Sequence, residues 1–300
     1  MTDDNRVEYW AYTEHAHLTA MKSNDSRAKI EDVEIQGGAG LAEVHAETLK
    51  TFPEIEKLVL GGIRFLKLIN IPFAGTAIDL GSGVGTVATI VSRLSEVEKV
   101  YAVEYSEQFV LKSMPAVFKH FKADETKIVR VVGDFNKFQL PDASVSLIVE
   151  VDSLHHAEDI DLTLKECWRV LKPGGVILSV DRAWPDSLTQ SDLDTKLNVE
   201  YSSARKALWG IPADKVFRRR DFGEHEYRIK DWLDHYNRNG FDAHVFSQAH
   251  PRFFNTLIFN HLPTFAFTIF MASLLARLGV RRYSIYGFNP TRKLFVSVKQ

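Results

Sequence analysis

One cysteine, Cys167, occurs in 300 residues, which excludes any intrachain disulfide. It sits in Leu164-Lys-Glu-Cys-Trp-Arg-Val-Leu171, a helical pattern that predicts a small buried apolar residue rather than a nucleophile. A reducing compartment agrees with such sparse use. Neither sign of charge is in excess. Thirty-seven Lys and Arg face 39 Asp and Glu, a net charge of -2, and nothing in that balance calls for nucleic acid or an anionic membrane. The small basic clusters Arg218-Arg219-Arg220 and Arg281-Arg282 read as solvated surface or local ion pairs. The start, Met1-Thr-Asp-Asp-Asn-Arg6, lacks the basic region and apolar core of a secretory leader, so a cytoplasmic location is expected. No internal repeat or low-complexity tract is visible. The histidines lack metal-ligand spacing with cysteines, and no two-carboxylate-plus-Asn cluster suggests magnesium, so no metal is expected. The longest apolar stretch lacks charge altogether: residues 253–276 hold no Asp, Glu, Lys or Arg. Asn255, Asn260, His261, Pro263, Thr264 and Thr268 interrupt it as a spanning helix. Buried or lid helices are expected there first, and a helix lying on a membrane surface second.

What is present is an ordinary globular composition, 45% hydrophobic and 25% charged, and one stretch that stands out: Ala77-Ile-Asp-Leu-Gly-Ser-Gly-Val-Gly-Thr-Val-Ala88. An apolar run ends near an acid, three glycines alternate, and helix formers follow. This predicts strand, tight turn and helix, the geometry that brings a nucleoside-bearing cofactor against bare backbone. A dinucleotide fingerprint spaces its glycines G-x-G-x-x-G. Here Gly81, Gly83 and Gly85 give G-x-G-x-G, and Thr86 takes the sixth place. Asp79 at the strand end would serve a pyrophosphate poorly. It suits a cationic cofactor, and S-adenosylmethionine carries an ammonium, a sulfonium and no phosphate.

From position 77 the pattern alternates strand and helix, the signature of a parallel sheet. Strands are predicted at 77–80, 99–104, 128–132, 145–150 and 176–180. Helices are predicted at 86–94, 106–121 and 161–170, and Lys172-Pro-Gly-Gly175 reads as a turn. Residues 183–228 are polar and look inserted. A helix at 230–239, closed by Gly240, leads to strands at 241–246 and 293–298. About forty residues separate those two strands, long enough to predict helices and a functional role. Ahead of the sheet, 58–69 reads as a helix, and Tyr9, Trp10, Tyr12, His15 and His17 cluster near the start.

In such a sheet ligands sit beyond the carboxyl ends of the strands. Glu104 ends the second strand 19 positions after Gly85, where an acid can accept both hydroxyls of a ribose. Tyr105 beside it can lie against an adenine. Asp134, after Gly133, can accept the adenine amino group while Phe135 packs on the ring.

Taken in order, Ile78-Asp-Leu-Gly-Ser-Gly-Val-Gly85, Val103-Glu104, Gly133-Asp134-Phe135, the block from Leu140 to His156, and Arg169-Val-Leu-Lys-Pro-Gly-Gly175 resemble the class I S-adenosylmethionine-dependent methyltransferases, in particular their small-molecule branch. The resemblance covers about 75–181, with weaker agreement at 230–246 and 293–299. It implies an α/β fold: a Rossmann-like seven-stranded sheet with its last strand antiparallel, flanked by helices. Residues 71–182, 230–248 and 291–300 would form the core. Residues 1–70 would form an N-terminal lid, and 183–229 and 249–290 inserts capping the substrate. It also implies that Asp79, Gly81, Ser82, Gly83 and Gly85 hold the methionine part, Glu104 the ribose, and Asp134 with Phe135 the adenine. Glu150 and Val151 would present backbone near the reacting methyl.

Methyl transfer from a sulfonium is an in-line displacement in which positioning dominates. An oxygen or nitrogen acceptor can also need a base. His155 and His156 are candidates, with packing of their loop as the competing role, and Asp152 is a third candidate. His15 and His17 could reach the site from a lid. Phe253, Phe254, Phe259, Phe265, Phe267 and Phe270 suggest an apolar, aromatic or lipid-like acceptor, or burial against a dimer partner or a membrane surface. Two other functions compete. An NAD-dependent oxidoreductase is disfavoured by Thr86 and Asp79. A membrane-peripheral protein that binds the cofactor without catalysis rests on residues 253–276.

Overall fold

The computed structural model describes residues 7–11, 39–208, 211–248, 264–285 and 292–300. Tyr12, His15, His17 and residues 249–263 and 286–291 lie outside them, so the expectations placed on those positions do too.

Short apolar runs of β-branched residues build one sheet. Its strands are β1 (Val7–Tyr9), β2 (Gly75–Leu80), β3 (Val97–Glu104), β4 (Ile128–Val132), β5 (Val145–Val151), β6 (Leu171–Arg182), β7 (Phe241–Gln248), β8 (Arg282–Ile285) and β9 (Arg292–Lys299). Their order is β1-β4-β3-β2-β5-β6-β9-β7-β8. Every neighbouring pair is parallel except those made by β9, which runs antiparallel to β6 and β7. The seven expected strands are present, and β1 and β8 extend the sheet at its two edges. Lys172–Gly175, expected as a turn ahead of the fifth strand, instead bulges within β6. Leu171 pairs with Val145 while Val176 pairs with Leu147, so four residues of β6 face one of β5.

Helices cover both faces, which is why the central strands read as nearly continuous apolar runs. Alternate residues still divide between two cores. Ala77, Leu147, Val149 and Leu178 point to one face. It is covered by α1 (Ala39–Leu68), α2 (Thr86–Ser92), α3 (Met114–Phe121) and, further along the chain, α8 (Thr264–Ala276). Ile78, Leu80, Ile148 and Ile177 point to the other face, under α4 (Ile160–Val170) and α7 (Ile229–Arg238). Cys167 lies inside that second core, and burial pushes its thiol well up, away from reactivity.

α1 is 30 residues long, far more than the 58–69 segment expected, and it accommodates Pro53. Its Phe52 stacks on Phe121 with ring centroids 3.8 Å apart. Between β6 and α7 the polar segment forms α5 (Gln190–Leu197), α6 (Ser203–Leu208) and a 3-10 turn at Arg219–Phe222. Among the described residues no helix is long and apolar enough to cross a membrane.

Candidate active site

The sheet winds outward from β2 through β3 to β4 on one side, and through β5 to β6 on the other. The gap between the loops after β2 and β5 is therefore the place where a ligand meets strand ends. A cleft of about 330 Å³ lies there. Asp79, Gly81, Ser82 and Gly83 line it from the first turn, Val151 and Asp152 from the end of β5. Thr48, Thr51 and Ile55 of α1 form the opposing wall, and Arg292 closes it from β9.

The glycine turn has two distinct jobs. Gly85 caps α2 with φ +85°, and a Cβ there would lie 2.5 Å from Phe118 Cε1, so the close packing of helix on helix needs a bare backbone. This is the role of a third glycine, performed one place early. Gly83 also has positive φ, but nothing lies within 4 Å of its missing Cβ. It opens onto the cleft. Its amide donates to Glu104 Oε2 at 2.9 Å, while Ser106 N donates to Oε1 at the same distance. These two amides fix the Glu104 carboxylate beside the glycine turn. Beside it, Ser82 Oγ is buried and has no hydrogen-bond partner among the described residues. An open glycine, an anchored carboxylate and an orphaned hydroxyl fit a polar, hydroxyl-bearing ligand.

The charge pattern asks for a cation. Asp79 is buried at the end of β2 and accepts Ala88 N at 2.7 Å. Burial, reinforced by Glu104 and Glu150, pushes its carboxyl up to about 8. Glu150 is fully buried and also pushed up to about 8, by burial and then by Asp181. Its oxygens are taken by Ser179 Oγ, by Ser153 Oγ at 3.0 Å and by the Ser153 amide at 3.1 Å, so it braces the loop rather than facing the cleft. Asp134 is buried, and its Oδ1 accepts the Asn136 amide and side chain, each at 2.8 Å. Phe135 lies near Gly81, within 3.8 Å of the position a Cβ would take. Tyr105 is half-buried just beyond Glu104.

Asp152 and the histidines part company. Asp152 lines the cleft with φ +54°, an uncommon conformation for a residue with a side chain, and its carboxylate pairs with Arg292. His155 and His156 form a 3-10 turn just beyond it and are not among the residues lining the cleft. His155 is buried, with Nδ1 2.7 Å from Asp181 Oδ1, and its amide donates to Asp181 Oδ2 at 3.1 Å. Its carbonyl accepts the amide of His225, in the segment after β6, at 2.9 Å. Burial, and next Arg182, lowers His155 to about 4. Burial, and next His155, lowers His156 to about 3. Burial likewise raises Asp181 well above the usual carboxylate range. Burial thus disfavours the charged form of both His155 and Asp181.

Sequence reasoning missed Arg292 as a site residue. The available signal was a basic pair, Arg292-Lys293, opening the apolar run Leu294-Phe-Val296. Only the antiparallel run of β9 brings that start to the ligand edge, opposite Arg182.

Comparison with known proteins agrees with this geometry. Residues 78–179 match the family described as a methyltransferase domain. A Mycolicibacterium smegmatis protein named a probable S-adenosylmethionine-dependent methyltransferase is 30% identical over 122 residues, 40% of this chain and 42% of that protein. The chain thus spans less than half the length of that relative. A Caulobacter vibrioides ubiquinone/menaquinone biosynthesis C-methyltransferase is 24% identical over 181 residues, 55% of this chain and 69% of its own. In overall fold the protein is similar to a chain from the complex of the Haloferax volcanii Trm112 methyltransferase activator with a methyltransferase. The TM-score is 0.51 at 16% identity, covering 87% of this chain and 97% of that one.

Proposed function

Since residues 78–179 form a methyltransferase domain of the class I, S-adenosylmethionine-dependent kind, we propose that this protein transfers the cofactor's methyl group to a small apolar acceptor. The observation that carries the reading is the glycine turn whose open Gly83 is tied to Glu104 beside the buried, charge-starved Asp79.

The cofactor supplies an electrophilic methyl on a sulfonium that departs as a neutral thioether. The residues of this chain bind and orient. Asp79 takes the ammonium group, Glu104 the ribose hydroxyls, and Asp134 and Phe135 the adenine, with Tyr105 alongside. Arg292, the one basic side chain among the residues lining the cleft, suits the carboxylate of the methionine arm. Most of the acceleration then comes from fixed geometry rather than from acid–base chemistry.

Where the acceptor must lose a proton, Asp152 is the group in place, because it lines the cleft and a strained backbone holds it there. His155 and His156 shape the turn behind it through Asp181 and His225. The inserts at 183–229 and 249–290 are assigned the acceptor's cover by the same proposal, with 209–210, 249–263 and 286–290 outside the described residues. The apolar character of the second insert supports an aromatic or lipid-like acceptor, and so does the Caulobacter relative's name in quinone biosynthesis.

The test is S-adenosylhomocysteine release on incubation with fractionated metabolite pools, with turnover expected in an apolar fraction. Binding of S-adenosylhomocysteine without turnover in any fraction would mark a cofactor-binding protein instead. Unchanged affinity in Glu104→Ala would show that the cofactor lies elsewhere.

A further inference from the structure

The even overall charge hides a sharp asymmetry. Residues 243–300 contain no Asp or Glu and seven Lys or Arg, so with a net charge of -2 the first 242 residues carry -9. Within this acid-free stretch lies α8, a helix without a charged residue on any face. A helix apolar all round belongs in a core or in lipid. α8 is only half in a core. Ile269, Ala272 and Ser273 are buried. On the other side Phe270, Met271, Leu274 and Leu275 are exposed, and Leu278 just past the helix is 79% exposed. At 100° per residue these five positions fall within an arc of about 140°, a continuous greasy face rather than scattered surface leucines.

Basic groups rim that face. Arg277 follows the helix directly, is exposed, and bonds a backbone carbonyl, that of Leu68. Arg281 and Arg282 come next, each already paired with an aspartate. α1, against which α8 packs, shows Lys57, Leu60, Arg64 and Lys67 on its own exposed side, with Lys67 paired to Glu96. The same α1 walls the cleft with Thr48, Thr51 and Ile55. An apolar stripe edged by arginine is complementary to one kind of surface, acyl chains beneath anionic headgroups.

We propose that the face of α8 formed by Phe270, Met271, Leu274, Leu275 and Leu278, with Arg277 at its rim, docks this protein onto an anionic lipid bilayer. The helix lies in the interface and does not span it. The proposal extends the apolar-acceptor reading, since a docked enzyme would meet an acceptor dissolved in the bilayer, but its test does not depend on turnover.

The test is flotation of the full chain with phosphatidylcholine vesicles, with or without about 30% phosphatidylglycerol, at about 0.1 M and 0.5 M salt. Binding is expected on the anionic vesicles, weakened by the higher salt. Arg277→Gln is expected to lower the partition roughly fivefold. Leu274→Glu/Leu278→Glu is expected to abolish it. Both residues are exposed and outside the cleft, so circular dichroism and S-adenosylhomocysteine affinity are expected to match the wild type. Failure of the wild-type chain to float, equal flotation on neutral vesicles, or flotation undiminished in the double variant would overturn the proposal. So would a wild-type dimer in light scattering that the double variant converts to monomer without any vesicle binding, because the face would then belong to a second copy.

Discussion

Replacing Asp79 with asparagine is expected to stabilise the protein in the absence of cofactor and to weaken cofactor binding. The native carboxyl titrates near 8, against an ordinary value of 3.8 in the unfolded chain. The native state therefore keeps a proton that the unfolded state has released. Below about pH 4 both states hold it, and the group costs nothing. From about pH 4 through about pH 8 the native state loses stability as pH rises. At pH 7 the interval is about three pH units, on the order of 4 kcal/mol. Asparagine does not titrate, and its amide oxygen can still accept the Ala88 amide that now lies 2.7 Å from Asp79. A gain of this order raises Tm by several degrees in a chain of this size. Against that, the charge-assisted bond to the cofactor's ammonium is lost, roughly a 10- to 100-fold rise in Kd. Thermal melts of both proteins between pH 5 and 8.5, with calorimetric titration of S-adenosylhomocysteine, measure the two effects. The gap in Tm should widen with pH. A variant that melts below the wild type at pH 8 with an unchanged pH slope, or that binds equally well, would refute the reasoning.

The two open-φ glycines are expected to separate stability from binding. Gly85→Ala drives a Cβ to 2.5 Å from Phe118 and costs about 2–4 kcal/mol in urea denaturation. Gly83→Ala meets nothing and costs only about 1 kcal/mol for its backbone, yet weakens S-adenosylhomocysteine binding in titration. Once an acceptor is in hand, Asp152→Asn should reduce kcat by about 10²-fold or more if a proton must leave, whereas His156→Asn should change it less than tenfold. The reverse ranking would return the histidines to the proton path. Binding of NADH in preference to S-adenosylhomocysteine would reject the cofactor assignment outright.

The sheet was legible because its information is local. Each central strand is buried on both faces and so reads as a short run of Val, Ile and Leu, and the turns at Gly81–Gly85, Gly133 and Gly240 carry their own glycines. β1 and β8 were not legible, since three or four residues at a sheet edge gain their identity from the neighbour they pair with. The Lys172–Gly175 segment carries turn chemistry and adopts it at Gly174, with φ +72°, but strand pairing continues on both sides of it. Within the cleft, the turn residues and strand-end acids were visible as motif, while the partners that set their charge were not. Arg292 lies 140 positions from Asp152, and Thr48 and Thr51 belong to a helix whose predicted part began seven to ten residues later. A separation of 26 residues conceals the Asp181–His155 pair as well. Neither residue's local context discloses that both are buried against each other.

β9 occupies an interior place in the sheet although it leaves the ribosome after both of its neighbours. Until it emerges, β6 has an unpaired side and β7 lacks one partner, and its own pairings, such as Val176 with Val298, close very large loops. Such non-local closure is slow, and it leaves apolar strand edges open while it is awaited. Nascent chains halted before Arg292 should therefore be the species most prone to chaperone capture and aggregation. Expression yield would then depend on substitutions in this last strand more than on those in the glycine turn.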